Sequence, residues 1–339
     1  MLAHDHPGRW EPPGQLSRHR EFTTKMMTQR SANPLSEHAS PLARPFIGQH
    51  GVRALWRFLA YAAMAVGVIL IADRLLRMIL GPGGAPTPGV ATPSGAIRME
   101  IVFWLGAFVP ALIMGRLERR SLADYGLPLQ RAFRRDFWAG MLWGLLLVSA
   151  IIGGIALFHG YSISGLATSG GAIVGYAALW LIATFMVGVF EEFAFRGYTL
   201  FTLGTGIGFW PAAVLLSVTF GAMHLLNANE NFLGAGAVVM LGLFLSLTLR
   251  RTGSLWFGVG AHCTFDWGEN YLYSVRDSGT ISSGHLVNSS MHGAPWLTGG
   301  GDVGPEDSLI CLVCLVLITM LFAWRYPPRA TETSKPLRA

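Results

Sequence analysis

The sequence predicts an all-α protein, a polytopic membrane helix bundle of about eight transmembrane helices with both termini cytoplasmic. Three observations carry that expectation. Hydrophobic residues fill 52% of the 339 positions against 13% charged, and the mean hydropathy of +0.44 lies far outside soluble-domain usage. Apolar stretches of about 20 residues, the length at which a helix crosses a bilayer core, recur along the chain. Arginines crowd one connection and leave its neighbours without charge, which is the pattern that sets membrane orientation.

Residues 1–52 carry Pro12, Pro13, Pro34, Pro41 and Pro45 among scattered charges and histidines and lack the apolar core of a signal peptide. They read as a disordered cytoplasmic tail. A membrane domain is expected over 53–326, with spans near 57–79, 98–116, 136–158, 172–201, 209–228, 232–250, 255–275 and 307–325. A cytoplasmic tail, 327–339, follows. Arg116, Arg119, Arg120, Arg131, Arg134 and Arg135 fix the second connection inside, whereas 81–97 and 159–171 hold no Asp, Glu, Lys or Arg. Counting from there places Arg53, Arg57, Arg250, Arg251, Arg325, Arg329, Lys335 and Arg338 inside as well. This topology accounts for the net charge of +6 without nucleic acid. The Gly- and Ser-rich connection 276–306 should face outward and be ordered, because Trp296 and Leu297 need burial. Gly140 and Gly144, spaced as GxxxG, should let helices approach closely. Cys311 and Cys314 lie in "SLICLVCLVLITML", an uninterrupted apolar run, and read as small core-facing thiols rather than a zinc or redox pair.

Ionisable groups at membrane depth are costly, so they should face the bundle interior and serve a purpose. Three clusters interrupt the apolar spans: Glu191, Glu192 and Arg196 in "EEFAFR", His224 in "TFGAMHLLN", and His262 with Asp266 in "GAHCTFDW". Residues four apart share a helix face, so Glu192 lies over Arg196 and can neutralise it, which leaves Glu191 free to act as a general base. Phe220 shares a face with His224 and can brace its ring. His262 and Asp266 can orient one another, bind a metal jointly or act together on a substrate. Each cluster alone also fits a structural role. Jointly they offer a carboxylate, two histidines and an aspartate on three helices, a set suited to activating water beside a peptide carbonyl.

"EEFAFR", "FGAMH" and "HCTFD" match, in order, the EExxxR, FxxxH and HxxxN/D pattern of the CPBP family, the CAAX proteases and bacteriocin-processing enzymes also known as Abi proteins. The chain resembles that family over about 95–325, and "RRSLADYGL" and "WLTGGGDVGPEDSL" look like stretches of its bacterial members. The resemblance implies an intramembrane endopeptidase in a bacterial inner (plasma) membrane, with a polar cavity opening toward the cytoplasm. Its substrate would be a C-terminal tail or a membrane-anchored peptide, lipid-modified or not. By the same resemblance Glu191 activates water, Glu192, Arg196 and Phe220 support it, and His224, His262 and Asp266 stabilise the oxyanion or bind a metal. Many members carry Asn where this chain has Asp266, and an ionised aspartate only accepts hydrogen bonds. Metal use stays open: Glu191, His224, His262 and Asp266 suit a divalent ion such as zinc with a water in the open position, yet no HExxH is present. Cys263 has no role in the pattern.

Two other functions compete. A proton- or cation-coupled transporter could use the same groups, although no inverted pair of broken helices is evident. A catalytically silent scaffold of the family is the other. Depth poses a further question, since at 1.5 Å per residue Glu191 falls roughly 30 Å from the outer end of span four and His224 about 20 Å from the inner end of span five. The expected remedy is a fourth helix starting nearer 178, with 171–177 a loop or short helix and the site in the inner half of the bilayer.

Overall fold

Hydrocarbon offers no partner for a backbone N–H or C=O, so an apolar chain of this kind satisfies its backbone within each segment and becomes helical. The computed structural model describes residues 47–48, 51–81, 90–227 and 229–328 and is 73% helical. The chain divides at Arg57. Before that point Ile47–Gly48 (β1) pairs antiparallel with Gly51–Val52 (β2), so this part of the expected disordered tail has strand structure. The rest of that tail and the end of the C-terminal one lie outside the described residues.

Helix α1 is Ala54–Leu80, α2 Pro93–Glu118, α3 Arg135–Leu157 and α4 Gly171–Glu192. A π-helical turn, Phe193–Gly197, carries α4 straight into α5, Tyr198–Ile207. Then come α6, Phe209–His224, α7, Phe232–Thr252, and α8, Trp256–Trp267, which runs into a second π-helical turn, Gly268–Leu272. A short α9, Pro295–Thr298, precedes α10, Leu309–Arg325. Each of the eight expected spans therefore contains helix, with ends that differ from those expected. Among the described residues, five helices are long and apolar enough to cross a membrane, counting 171–207 as one, while α6 and α10 are shorter apolar helices. Large apolar side chains such as Leu70, Met78, Leu142, Leu146, Leu317 and Met320 are exposed, as expected of a surface meant for lipid.

The fourth span does not start near 178. It begins at Gly171 and continues to Ile207, beyond the expected end at 201. The depth mismatch resolves at that lower end: Glu191 lies sixteen positions before Ile207 and His224 fifteen after Phe209, about 24 and 22 Å from their shared turn.

Lipid removes most of the hydrophobic drive between helices, so close contact depends on small residues. A Cβ at Gly140 would collide with the Phe257 carbonyl, one at Gly144 with the Ala261 carbonyl, and one at Gly260 with the Phe137 carbonyl. The GxxxG of α3 thus meets the backbone of α8, the helix that carries His262 and Asp266. Thr264 Oγ1 donates across this contact to the Met141 carbonyl at 2.7 Å. Ile151, Leu245, Phe257 and Phe322 fill the core beside it.

The connections separate into two ends. At one, Val90–Ala91 (β3) pairs parallel with Ile281–Ser282 (β5), and Tyr161–Leu166 (β4) pairs antiparallel with Val287–Met291 (β6), which gathers the connections before α2, before α4 and before α10. At the other, the arginine-rich connection before α3 meets the start of α8: Leu255 N–H donates to the Gly126 carbonyl at 2.8 Å and Trp256 Nε1 to the Pro128 carbonyl at 2.9 Å. Connection 276–306 is ordered, but not by burying Trp296, which is 59% exposed. Strand pairing and buried carboxylates order it instead.

Candidate active site

Glu192 is fully buried and receives Arg196 Nη1 at 3.0 Å, the contact expected of residues four apart. Arg196 stands in the π-helical turn, where Thr199 Oγ1 donates to the Ala194 carbonyl at 2.6 Å and satisfies an acceptor of the widened turn. Glycines make the space. A Cβ on Gly258 would lie 2.8 Å from Glu192 Oε2, and one on Gly242 would lie 2.7 Å from Arg196 Nη2.

His262 joins this pair to the rest. Its Nδ1 donates to Glu192 Oε1 at 3.1 Å, while Nε2 faces Glu191 Oε2 at 3.4 Å and Asp266 Oδ2 at 3.6 Å. Glu191 is therefore not the unpartnered acid that helical spacing suggests: its partner is an imidazole from another helix. Its side chain keeps 21% exposure, more than Glu192, His262 or Asp266. His262 and Asp266 sit on one face, as expected.

Phe220 stands between the histidines and Arg196. Its ring meets the His224 ring edge-on at 4.6 Å and the His262 ring at 6.5 Å, and the Arg196 guanidinium lies 4.6 Å over it. His224 Nδ1 donates to the Phe220 carbonyl at 2.8 Å, which directs Nε2 away from its own helix.

Glu191, His224, His262 and Asp266 all line one cavity of about 210 Å³. Ala91, Asp277, Ser278, Thr280 and Glu306 continue the lining, so the cavity reaches the strand-paired end and not the arginine-rich one. The resemblance implies an opening toward the cytoplasm, whereas the arginine-rich end, which the charge pattern predicts to be cytoplasmic, is not the end this lining reaches. The buried Glu192–Arg196 pair and the close approaches at Gly258 and Gly242 lie on the Nδ1 side of His262, away from the cavity-lining carboxylates.

The cavity brings in groups that sequence reasoning missed. Glu306 accepts from Ser278 N–H at 2.8 Å and Ser278 Oγ at 2.6 Å. Asn270 donates to the Asp266 carbonyl at 3.0 Å and to Asp277, and accepts from Ser282. Burial, and next the Glu306 charge, push Asp277 up to about 7, and burial raises Glu306 as well. Glu100, buried in α2, interacts electrostatically with Glu191 and His262. A glutamate inside "RMEIVFWLG" was the available signal for it. Cys263 and Cys311 are buried and Cys314 is partly so, all as free thiols.

The donor types of Glu191, His224, His262 and Asp266 suit zinc, but their atoms do not converge as a ready ligand set. His262 Nε2, the atom that would bind, is already faced by two carboxylates. Among the described residues, the three-donor group whose ligand atoms all lie within 4.8 Å of one another is Glu269, Asp277 and Glu306.

No curated protein matches the chain. Residues 173–268, which contain all three motifs, match the family model described as type II CAAX prenyl endopeptidase Rce1-like. The match covers less than a third of the chain and is a likeness to that family of intramembrane proteases, while helices apolar enough to span a bilayer make this an integral membrane protein.

Proposed function

We propose that the chain is an intramembrane endopeptidase that hydrolyses a peptide bond in a C-terminal tail or a membrane-anchored peptide, with Glu191 as the base. The observation that carries this reading is the convergence of Glu191, His224, His262 and Asp266 on one interior cavity within the segment matching the family. At about 30 Å³ per water, the cavity has room for several waters or for the atoms around one peptide bond.

Glu191 takes a proton from a water, and the hydroxide forms a bond to the carbonyl carbon. Charge develops on the carbonyl oxygen, to which the Nε2–H of His262 or His224 in the imidazolium form, where both ring nitrogens donate, can supply a hydrogen bond. Asp266 keeps the His262 ring aimed into the cavity. Collapse breaks the C–N bond, and the proton held by Glu191 passes to the leaving amine. Each group keeps its place because Glu192 and Arg196 fix the other side of His262.

The test uses purified protein in liposomes with a prenylated C-terminal-tail peptide, alongside mass spectrometry of peptide termini from cells expressing wild type or Glu191→Gln. Glu191→Gln, His224→Ala and His262→Ala should each lower cleavage by about 100-fold or more while the protein still inserts. Wild-type rates in all three variants would end this reading. One observation favours the transporter alternative, namely the further carboxylates lining the same cavity. Proton or cation flux into liposomes that is lost in Glu191→Gln, with no cleavage by wild type, would select it.

A further inference from the structure

The structure points to a second site: we propose that Glu269, Asp277 and Glu306 bind a hard divalent cation, of the calcium or magnesium class, at the roof of the cavity. The three carboxylates come from separate places, the π-helical turn after α8 and the two ends of connection 276–306. Their ligand atoms nonetheless lie within 4.8 Å of one another. Ionised acids at such spacing repel, so the cluster is neutralised either by protons or by a bound cation, and one cation can satisfy all three at once.

The second, independent observation is Glu269 itself. It is 1% exposed, and neither of its carboxylate oxygens has a hydrogen-bond partner. Buried polar atoms normally find partners, so two orphaned oxygens on one buried acid, turned toward two more acids, call for a ligand. The neighbouring cation does not supply it. Arg276 directs its guanidinium to Asp302 at 3.1 Å. The other two acids are already oriented, Glu306 by the Ser278 N–H and hydroxyl and Asp277 by Asn270. Each still offers lone pairs, because a carboxylate accepts at about four positions. Oxygen-only donors, without imidazole or thiolate, select calcium or magnesium over zinc.

A cation held there ties the end of the helix bearing His262 and Asp266 to both ends of the connection that roofs the cavity. Asn270, next to Glu269, contacts both Asp266 and Asp277, so occupancy would be felt at the candidate active site. The proposal does not depend on hydrolysis being the function, and its test reads metal rather than turnover.

Purified wild type is stripped with chelator, then titrated with Ca²⁺, Mg²⁺ and Zn²⁺ by equilibrium dialysis with elemental analysis, and its thermal unfolding is followed in parallel. Saturable binding of one Ca²⁺ or Mg²⁺ per chain is expected, with a midpoint raised by about 5 °C or more at a hundredfold excess over Kd. Glu269→Gln and Asp277→Asn should each weaken binding at least tenfold, and Glu191→Gln should leave it within twofold. Asp277→Asn is a near-isosteric change at a half-buried position, so it carries the test if Glu269→Gln does not fold. The proposal is overturned if folded wild type binds neither Ca²⁺ nor Mg²⁺ saturably, if it binds Zn²⁺ alone, or if Glu191→Gln abolishes binding as fully as Asp277→Asn.

Discussion

A single carboxylate oxygen, Glu192 Oε1, receives a guanidinium from its own helix and an imidazole from α8. Neutralising that carboxylate leaves a buried Arg196 without its counter-charge, which costs on the order of 3 kcal/mol, and weakens the acceptor that holds the His262 ring. Glu192→Gln should therefore lower stability and cleavage together, as read by denaturant unfolding and by turnover of the same preparation. Gly258→Ala should reproduce the loss of activity in milder form, since its Cβ would press on Glu192 Oε2, an atom with nowhere to move in a fully buried side chain. An activity equal to wild type in Gly258→Ala would show that this packing does not position His262. Helical spacing made the Glu192–Arg196, Phe220–His224 and His262–Asp266 pairs legible, because each lies within one turn. The contact between Glu192 and His262 spans 70 positions and was beyond any local pattern. The Glu269, Asp277 and Glu306 trio escaped notice for the same reason, since Glu269 lies near the end of the seventh expected span and the other two stand at opposite ends of connection 276–306.

Helix α8 is held by backbone contact rather than by large side chains, and this is where the GxxxG reading has its structural meaning. Gly144→Leu places four carbons where the Ala261 carbonyl and Thr264 hydroxyl stand, so α8 must shift, and overpacking of this kind costs about 1–3 kcal/mol. Because α8 carries His262 and Asp266, cleavage should fall by more than the stability change alone would give. Gly153→Leu on the same helix is the control: a Cβ there meets nothing within 4 Å, and both stability and activity should stay near wild type. Element identity was readable from hydropathy, since every expected span contains helix. Element ends were less so. The π-helical turn at Phe193–Gly197 keeps residues on either side in one continuous rod, and apolar counting has no way to register a helix that overshoots its bilayer length. Trp296 misled for a different reason, because strand pairing orders its connection and a single large apolar side chain can stay exposed.

At the scale of the whole molecule, the arginine-rich connection and the cavity mouth lie at opposite ends, so arginine asymmetry and the family resemblance disagree about which side the substrate comes from. The disagreement can be measured. With Cys314 replaced by serine, single cysteines at Gln130, exposed in the arginine-rich connection, and at Trp296, exposed at the strand-paired end, should label with an impermeant thiol reagent from opposite faces of intact cells. If the arginines face the cytoplasm, the Trp296→Cys protein labels without permeabilisation and the Gln130→Cys protein only after it. Labelling of both from one face would overturn the two-ended arrangement.

Helix α6 bears on how water reaches this chemistry at all. Its 16 residues extend about 24 Å, against roughly 30 Å of hydrocarbon in an average bilayer. Acyl chains beside that flank must compress or the interface must dip, and either response draws headgroups and hydration toward the level of His224. Under the proposed function, bilayer thickness thereby becomes a determinant of turnover: short-chain phosphatidylcholines should shorten the climb for an incoming strand, and long-chain ones lengthen it.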